Sequence, residues 1–278
     1  MLRLYYINVL WGEIMKQDTY ISEHYEAREL IKGVWQILDK PDKIKPAVDI
    51  YLIEGSNKSL LIDAGQSNAD LRGFVRQLTD KPVELLITHG HGDHAAGVYQ
   101  FDKVYLSHKD IDSLDIFFGM KLDKSAVIDL HGGEILDLGD CRIEVIAFPG
   151  HTLGSVILLD ELRQLLFTSD ALGSGTLWMQ LPHSTSVEEY HEQLCRLEKR
   201  LEGLDKLRVF PGHDCGRSLN YGIEYISDIR ILAGKILSGE IVGEETADQS
   251  ELFGGLRASY GKMKEFIYKP YNIYKAKK

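Results

Sequence analysis

Apolar and β-branched residues cluster over Val34 to Leu38, Asp49 to Glu54 and Leu60 to Asp63, separated by turns containing Pro, Lys and Gly, a pattern that predicts antiparallel strands. The spacing changes after Asn68: Leu71, Phe74, Val75 and Leu78 recur at helical intervals up to Leu78. Val83 to Thr88 then reads as a continuous apolar strand that runs into a His-rich turn, which makes a β-α-β step with its chemistry at the strand's C-terminal end. A weakly patterned stretch from Ser107 to Ala126 follows, and strands are expected near Cys141 to Phe148, Ser155 to Leu159, Gln164 to Thr168 and Leu207 to Phe210. Val187 to Leu201, introduced by a Ser/Thr cluster, and Leu219 to Leu237 have helical patterns, and Met263 to Tyr268 alternates before a Lys-rich end. Strands in both halves, each with flanking helices, predict an α/β protein in which two sheets pack together and helices cover the outside.

Composition narrows the function. The chain has 278 residues, 44% hydrophobic and 27% charged, which is ordinary for a globular protein able to bury its own core. Its formal net charge of −10 argues against nucleic acid or anionic lipid as partner, since both demand clustered Lys and Arg. Cys141, Cys195 and Cys215 are widely spaced and odd in number, which fits a reducing cytoplasm better than a disulfide framework. The apolar N-terminus from Leu2 to Trp11 is short, is followed by Glu13 and lacks a small-residue cleavage site, so it is not read as a signal peptide. No stretch approaches the roughly 18 apolar residues needed to cross a bilayer.

The chemistry concentrates in Thr88-His89-Gly90-His91-Gly92-Asp93-His94, where three imidazoles and a carboxylate fall within six residues. Those donors suit zinc, manganese or iron, and the glycines let the backbone turn so that neighbouring side chains converge. Three further candidates, His151, Asp170 and His213, each follow an expected strand, where a rigid sheet can hold them in place. His108, His131, His183 and His191 lie outside these motifs and read as surface or capping residues. Cys215 reads as a spectator beside a complete donor set.

The HxHxDH pattern, complete as His89, His91, Asp93 and His94, resembles the metallo-β-lactamase superfamily over roughly Val34 to Leu237. The resemblance implies an αββα four-layer sandwich over residues 34–278, preceded by an extension over residues 1–33. It also implies that His89, His91 and His151 bind one divalent metal, that Asp93, His94 and His213 bind a second, and that Asp170 bridges them. Leu61-Ile62-Asp63-Ala64-Gly65 is similar to an early strand-end motif whose Asp supports the site without touching metal. Zinc is the first expectation for both ions, with iron or manganese admitted by the mixed nitrogen and oxygen donors.

Within the superfamily, the bridging carboxylate shifts weight away from the true β-lactamases, and the ligand set is most similar to glyoxalase II and to the lactonases. The implied reaction is hydrolysis of a small-molecule ester, thioester or lactone by a hydroxide shared between two cations, with Asp93 passing a proton to the leaving group. Phosphodiester cleavage at the same pair, or a mononuclear iron persulfide dioxygenase, are the alternatives, and metal stoichiometry separates the latter. Tyr221 could donate to an oxyanion or pack its helix, and Trp178 could rim the substrate pocket or pack.

Overall fold

The computed structural model describes residues 2–10, 13–40, 47–213, 221–248, 250 and 253–276. Among them, a nine-stranded sheet comprises β1 (Leu2–Leu10), β2 (Glu13–Ile21), β3 (Tyr25–Ile31), β4 (Val34–Asp39), β5 (Val48–Glu54), β6 (Ser59–Ile62), β7 (Val83–Leu86), β8 (Val104–Leu106) and β9 (Val127–Asp129), in that spatial order. Pairing is antiparallel as far as β6 and parallel from there to β9. A five-stranded sheet has the order β10 (Ile135–Asp137), β11 (Arg142–Ala147), β12 (Val156–Asp160), β13 (Leu165–Ser169), β15 (Arg208–Pro211), with β13 and β15 parallel. A third, four-stranded sheet pairs β14 (Thr176–Met179) with the C-terminal strands β18 (Met263–Tyr268), β17 (Leu256–Tyr260) and β16 (Glu244–Glu245).

Alternate residues of one strand enter different cores, and this defines the layers. On β5, Tyr51 and Ile53 join a cluster shared with Val145, Leu158, Leu165 and Phe167 of the second sheet, whereas Ile50 and Leu52 face the outer cluster that holds Leu71, Phe74 and Leu114. On β12, Val156 and Leu158 face the first sheet, while Ile157 and Leu159 join the helix residues Tyr190, Leu194, Ile229 and Leu232. Strands buried on both faces explain why β5, β6, β12 and β13 read as continuous apolar runs instead of alternating ones. The order of layers is helix, sheet, sheet, helix, the αββα sandwich expected from the sequence.

The helices differ from the sequence pattern mainly in length. The Asn68 to Leu78 segment forms α1 (Leu71–Val75), started by Asp70, whose carboxylate accepts the Gly73 N–H, and it continues only as tight turns through Leu78. The weakly patterned region holds the short α3 (Ile111–Phe118), after a single-turn α2 (Gly92–Ala95) in the His-rich segment. α4 (Val187–Arg200) starts at a capping box in which Ser186 and Glu189 bond each other's backbone N–H, so the Ser/Thr cluster does set its beginning. α5 (Ile223–Leu237) begins later than Leu219; residues 214–220, with Cys215, lie outside the described residues. The residues expected as an N-terminal extension supply β1 to β3, which add to the first sheet beside β4. Among the described residues no helix is long and apolar enough to cross a membrane.

Candidate metal centre

Five strand ends converge at one edge of the sandwich. β6 leads to Asp63, β7 to the His89–His94 segment, β11 to His151, β13 to Asp170 and β15 to His213. All seven residues expected as ligands come together there, in three overlapping groups: His89 with His91 and His151, His89 with His94 and Asp170, and Asp93 with His94 and His213. Within each group the potential ligand atoms lie within 4.8 Å of one another. The carboxylate of Asp170 stands between the groups, with Oδ2 3.8 Å from His151 Nε2 and 3.4 Å from His213 Nε2, and Oδ1 3.5 Å from His94 Nε2. Gly212 permits this closeness, because a Cβ there would lie 2.5 Å from Asp170 Oδ1 and 2.8 Å from the His94 ring.

The imidazoles are oriented by what lies behind them. His151 Nδ1 donates to the Trp178 carbonyl at 2.7 Å and His213 Nδ1 to the Ala47 carbonyl at 2.9 Å. His94 Nδ1 donates to Asp63 Oδ2 at 2.9 Å. Thr88 Oγ1 donates to Asp63 and so accepts from His89 Nδ1 at 3.1 Å. An acceptor behind Nδ1 fixes the proton there and leaves the Nε2 lone pair for the site. His91 is turned the other way, with Nδ1 3.0 Å from His151 Nε2.

Asp63, expected as a support and not a ligand, holds four donors: the Thr88 N–H, the Thr88 hydroxyl, His94 Nδ1 and the Ser169 hydroxyl. Both Asp63 (φ 66°) and Ser169 (φ 45°) adopt the left-handed backbone region, unusual for residues with a Cβ, at the ends of the strands that carry them.

Electrostatics divide the cluster. Burial pushes the His89 pKa well below its ordinary value, with His94, His91 and His151 adding to the effect, and burial with His151 takes His91 down to about 3. Burial also opposes protonation of His94, but Asp170, Asp93 and Asp63 outweigh it and push that pKa up to about 10. The same contest at His213 is won chiefly by Asp170, which holds its pKa well above the ordinary value. Burial resists ionisation of Asp93, yet His94 and His213 hold it down to about 2.

A cation fits this donor set. His89 Nε2 is buried and has no hydrogen-bond partner among the described residues, a costly arrangement unless something electropositive meets the lone pair. Five imidazoles and two carboxylates supply nitrogen and oxygen donors of the kind zinc, iron and manganese take.

Residues 45–213, well over half of the chain, match the sequence profile of the Metallo-beta-lactamase superfamily. The chain belongs to that superfamily. It is 28% identical over 231 residues to the Acyl-coenzyme A thioesterase MBLAC2 of Bos taurus, an alignment covering 69% of this chain and 81% of the relative. The Hydroxyacylglutathione hydrolase of Francisella tularensis subsp. tularensis (strain WY96-3418) is 26% identical over 179 residues, 64% of this chain and 68% of its own. Among solved structures, a metallo-beta-lactamase from Pontibacter korlensis superposes with a TM-score of 0.59 at 18% identity, over 73% of this chain and 95% of its own, which establishes the shared fold. This member of the metallo-beta-lactamase superfamily is a metallo-hydrolase, with donor groups able to hold metal.

The remaining sequence candidates fall elsewhere. His108 and His131 are exposed and flank Asp129 at 3.3 and 3.4 Å, His183 is exposed, and His191 lies on α4 against Gly234. Tyr221 is buried and stacks on Tyr225 with ring centroids 3.9 Å apart, while Tyr225 Oη donates to the 172–173 carbonyls. Trp178 is 41% exposed and meets Phe253 edge-on. The carbonyls of Ala47 and Trp178 could not be found from sequence, because any residue carries a carbonyl. Thr88 and Ser169, by contrast, directly precede ligand candidates.

Proposed function

We propose that this metallo-beta-lactamase superfamily hydrolase holds two divalent ions and cleaves a small-molecule acyl thioester, a reading that extends to esters and lactones. His89, His91 and His151 would hold one ion, Asp93, His94 and His213 the other, and Asp170 both. The observation that carries this reading is the Asp170 carboxylate, whose Oδ2 lies 3.8 Å from His151 Nε2 and 3.4 Å from His213 Nε2 while Oδ1 lies 3.5 Å from His94 Nε2. Zinc suits the imidazole-rich donors, and iron or manganese is compatible with the carboxylates. The thioester preference is supported by the names of the two relatives, one an acyl-coenzyme A thioesterase and the other a hydroxyacylglutathione hydrolase.

Bound in such a site, divalent ions lower the pKa of water toward neutrality and polarise a carbonyl. Asp93 is the most open of the seven, with its side chain 31% exposed, and its low pKa keeps it a carboxylate at neutral pH. It is therefore placed to accept a hydrogen bond from incoming water and relay a proton toward the leaving group. Asp63, Thr88, Trp178 and Ala47 keep the imidazoles aimed inward, so little reorganisation is needed at the moment of reaction. We take residues 34–278 as the catalytic domain with 1–33 as its extension, and place the enzyme in the cytoplasm without nucleic-acid or membrane partners, on its cysteine pattern and net charge of −10.

The test is metal analysis followed by turnover on acyl thioesters, esters, lactones and phosphodiesters. Two ions per chain and thioester hydrolysis that disappears on chelation, with a fall in unfolding temperature, are expected. One redox-active iron with oxygen uptake would replace this reading with a dioxygenase, and preference for phosphodiesters would replace the substrate class. Full activity in metal-free protein would overturn the mechanism.

A further inference from the structure

Asp110 closes the 3-10 turn His108–Asp110 that leads into α3, an element separate from every strand that ends at the centre. It is fully buried. One carboxylate oxygen, Oδ2, accepts the Gly90 N–H at 2.8 Å and the Thr152 hydroxyl at 2.5 Å; the other, Oδ1, accepts the Gly154 N–H at 2.7 Å. Gly90 lies between His89 and His91, and Thr152 directly follows His151. A single side chain thus ties the loop after β7 in the first sheet to the loop after β11 in the second. Thr152 Oγ1, having donated to Asp110, accepts from Ser155 Oγ at 2.6 Å, which closes the His151 loop on itself.

The approach leaves no room for other residues. A Cβ on Gly90 would stand 2.2 Å from the Asp110 carbonyl oxygen, and one on Gly154 would stand 2.6 Å from its carboxylate. Gly90 and Gly154 are therefore fitted around Asp110. Asp63 bonds to Thr88, His94 and Ser169, and so orients His94 directly and His89 through Thr88; the four donors named for it include none from the His151 loop. Among the described residues, the carboxylate that Thr152 and Gly154 of the His151 loop hydrogen-bond is Asp110.

We propose that Asp110 is a positioning residue for the loops that carry His89, His91 and His151, holding the two loops at the separation a shared metal ion requires. The proposal rests on the ligand assignment made above. Asp110→Asn keeps the volume but turns an amide N–H toward an N–H or hydroxyl donor, so one of the three bonds becomes a repulsion.

The experiment measures stepwise Zn2+ affinity of the full chain against a chromophoric chelator, with Co2+ absorption spectra to identify each site. His151→Ala and His213→Ala mark which step belongs to which group. Asp110→Asn is expected to weaken the step lost in His151→Ala by about 10- to 100-fold, the usual effect of removing a group that orients a metal-binding imidazole. The step lost in His213→Ala should stay within about twofold, a selectivity that general destabilisation would not produce. Equal weakening of both steps, or of neither, overturns the proposal. If the Asn variant does not fold, Thr152→Val removes one donor to Asp110 and should weaken the same step several-fold; an unchanged step overturns it equally. Wild-type affinity at both steps in His151→Ala would instead sink the ligand assignment itself.

Discussion

The two sides of the centre use the same side chain in opposite electrostatic states. His89 and His91 are buried among other imidazoles, and their protonated forms are suppressed, with His91 down to about 3. His94 is just as buried, yet Asp170, Asp93 and Asp63 raise it to about 10, and His213 behaves likewise. Burial alone lowers a histidine pKa, whereas burial beside carboxylates raises it, because charge–charge attraction grows in the same low dielectric that penalises the isolated ion. His89 and His91 therefore offer neutral lone pairs, while His94 and His213 sit in ion pairs whose protons an incoming cation must displace.

The strongest way to break this comparison is to remove the group common to both sides. Asp170→Asn should weaken both ions together, by about 100-fold or more at the carboxylate-rich side, because a bridging anion offsets the mutual repulsion of two cations. Metal content and the pH profile of turnover check it; two tightly held ions with an unchanged profile would show that Asp170 only caps the turn after β13.

Next in size are single-side deletions. His151→Ala should cost one ion and His213→Ala the other, each chain retaining about one equivalent of metal after dialysis. Loss of the same ion in both variants would erase the division into two sides.

The smallest effect is the sharpest probe of the electrostatics. A proton held by His94 at neutral pH competes with metal, so affinity on that side should rise as pH rises, by about tenfold per unit for each proton displaced, levelling as the pH nears its pKa of about 10. His89, held well below its ordinary pKa by burial, and His91, down to about 3, hold no such proton at neutral pH, so they add no slope on the other side. Competition titrations at pH 6, 7 and 8 compare the two slopes. A steeper slope on the three-histidine side would invert the assignment of charge.

Much of this centre was legible in the sequence. His89, His91, Asp93 and His94 announce themselves by density, and His151, Asp170 and His213 by their places after apolar runs that do form β11, β13 and β15. Strand positions were readable for the same reason: strands buried on both faces are near-continuous apolar runs. Helix ends were read less well. α1 is shorter than its apolar spacing because Asp70 fixes where it starts and tight turns replace its last residues, effects of one or two hydrogen bonds that periodicity does not register. Asp110 had no signal at all, being one acidic residue in a weakly patterned stretch.

The sequence by itself determined the donors, since residue type sets which atoms can bind a cation, and it determined the layers, since the periodicity of burial follows from covalent geometry. The tertiary structure alone decided how those donors are aimed and charged. Ala47 and Trp178 act through carbonyls that every residue possesses, and Asp110 acts through loops 20 residues before and more than 40 residues after it. The opposite states of His91 and His94, three residues apart, arise from which carboxylates the fold brings beside each ring. Orientation and potential depend on distances through space, and the order of residues along a chain does not contain them until the chain has folded.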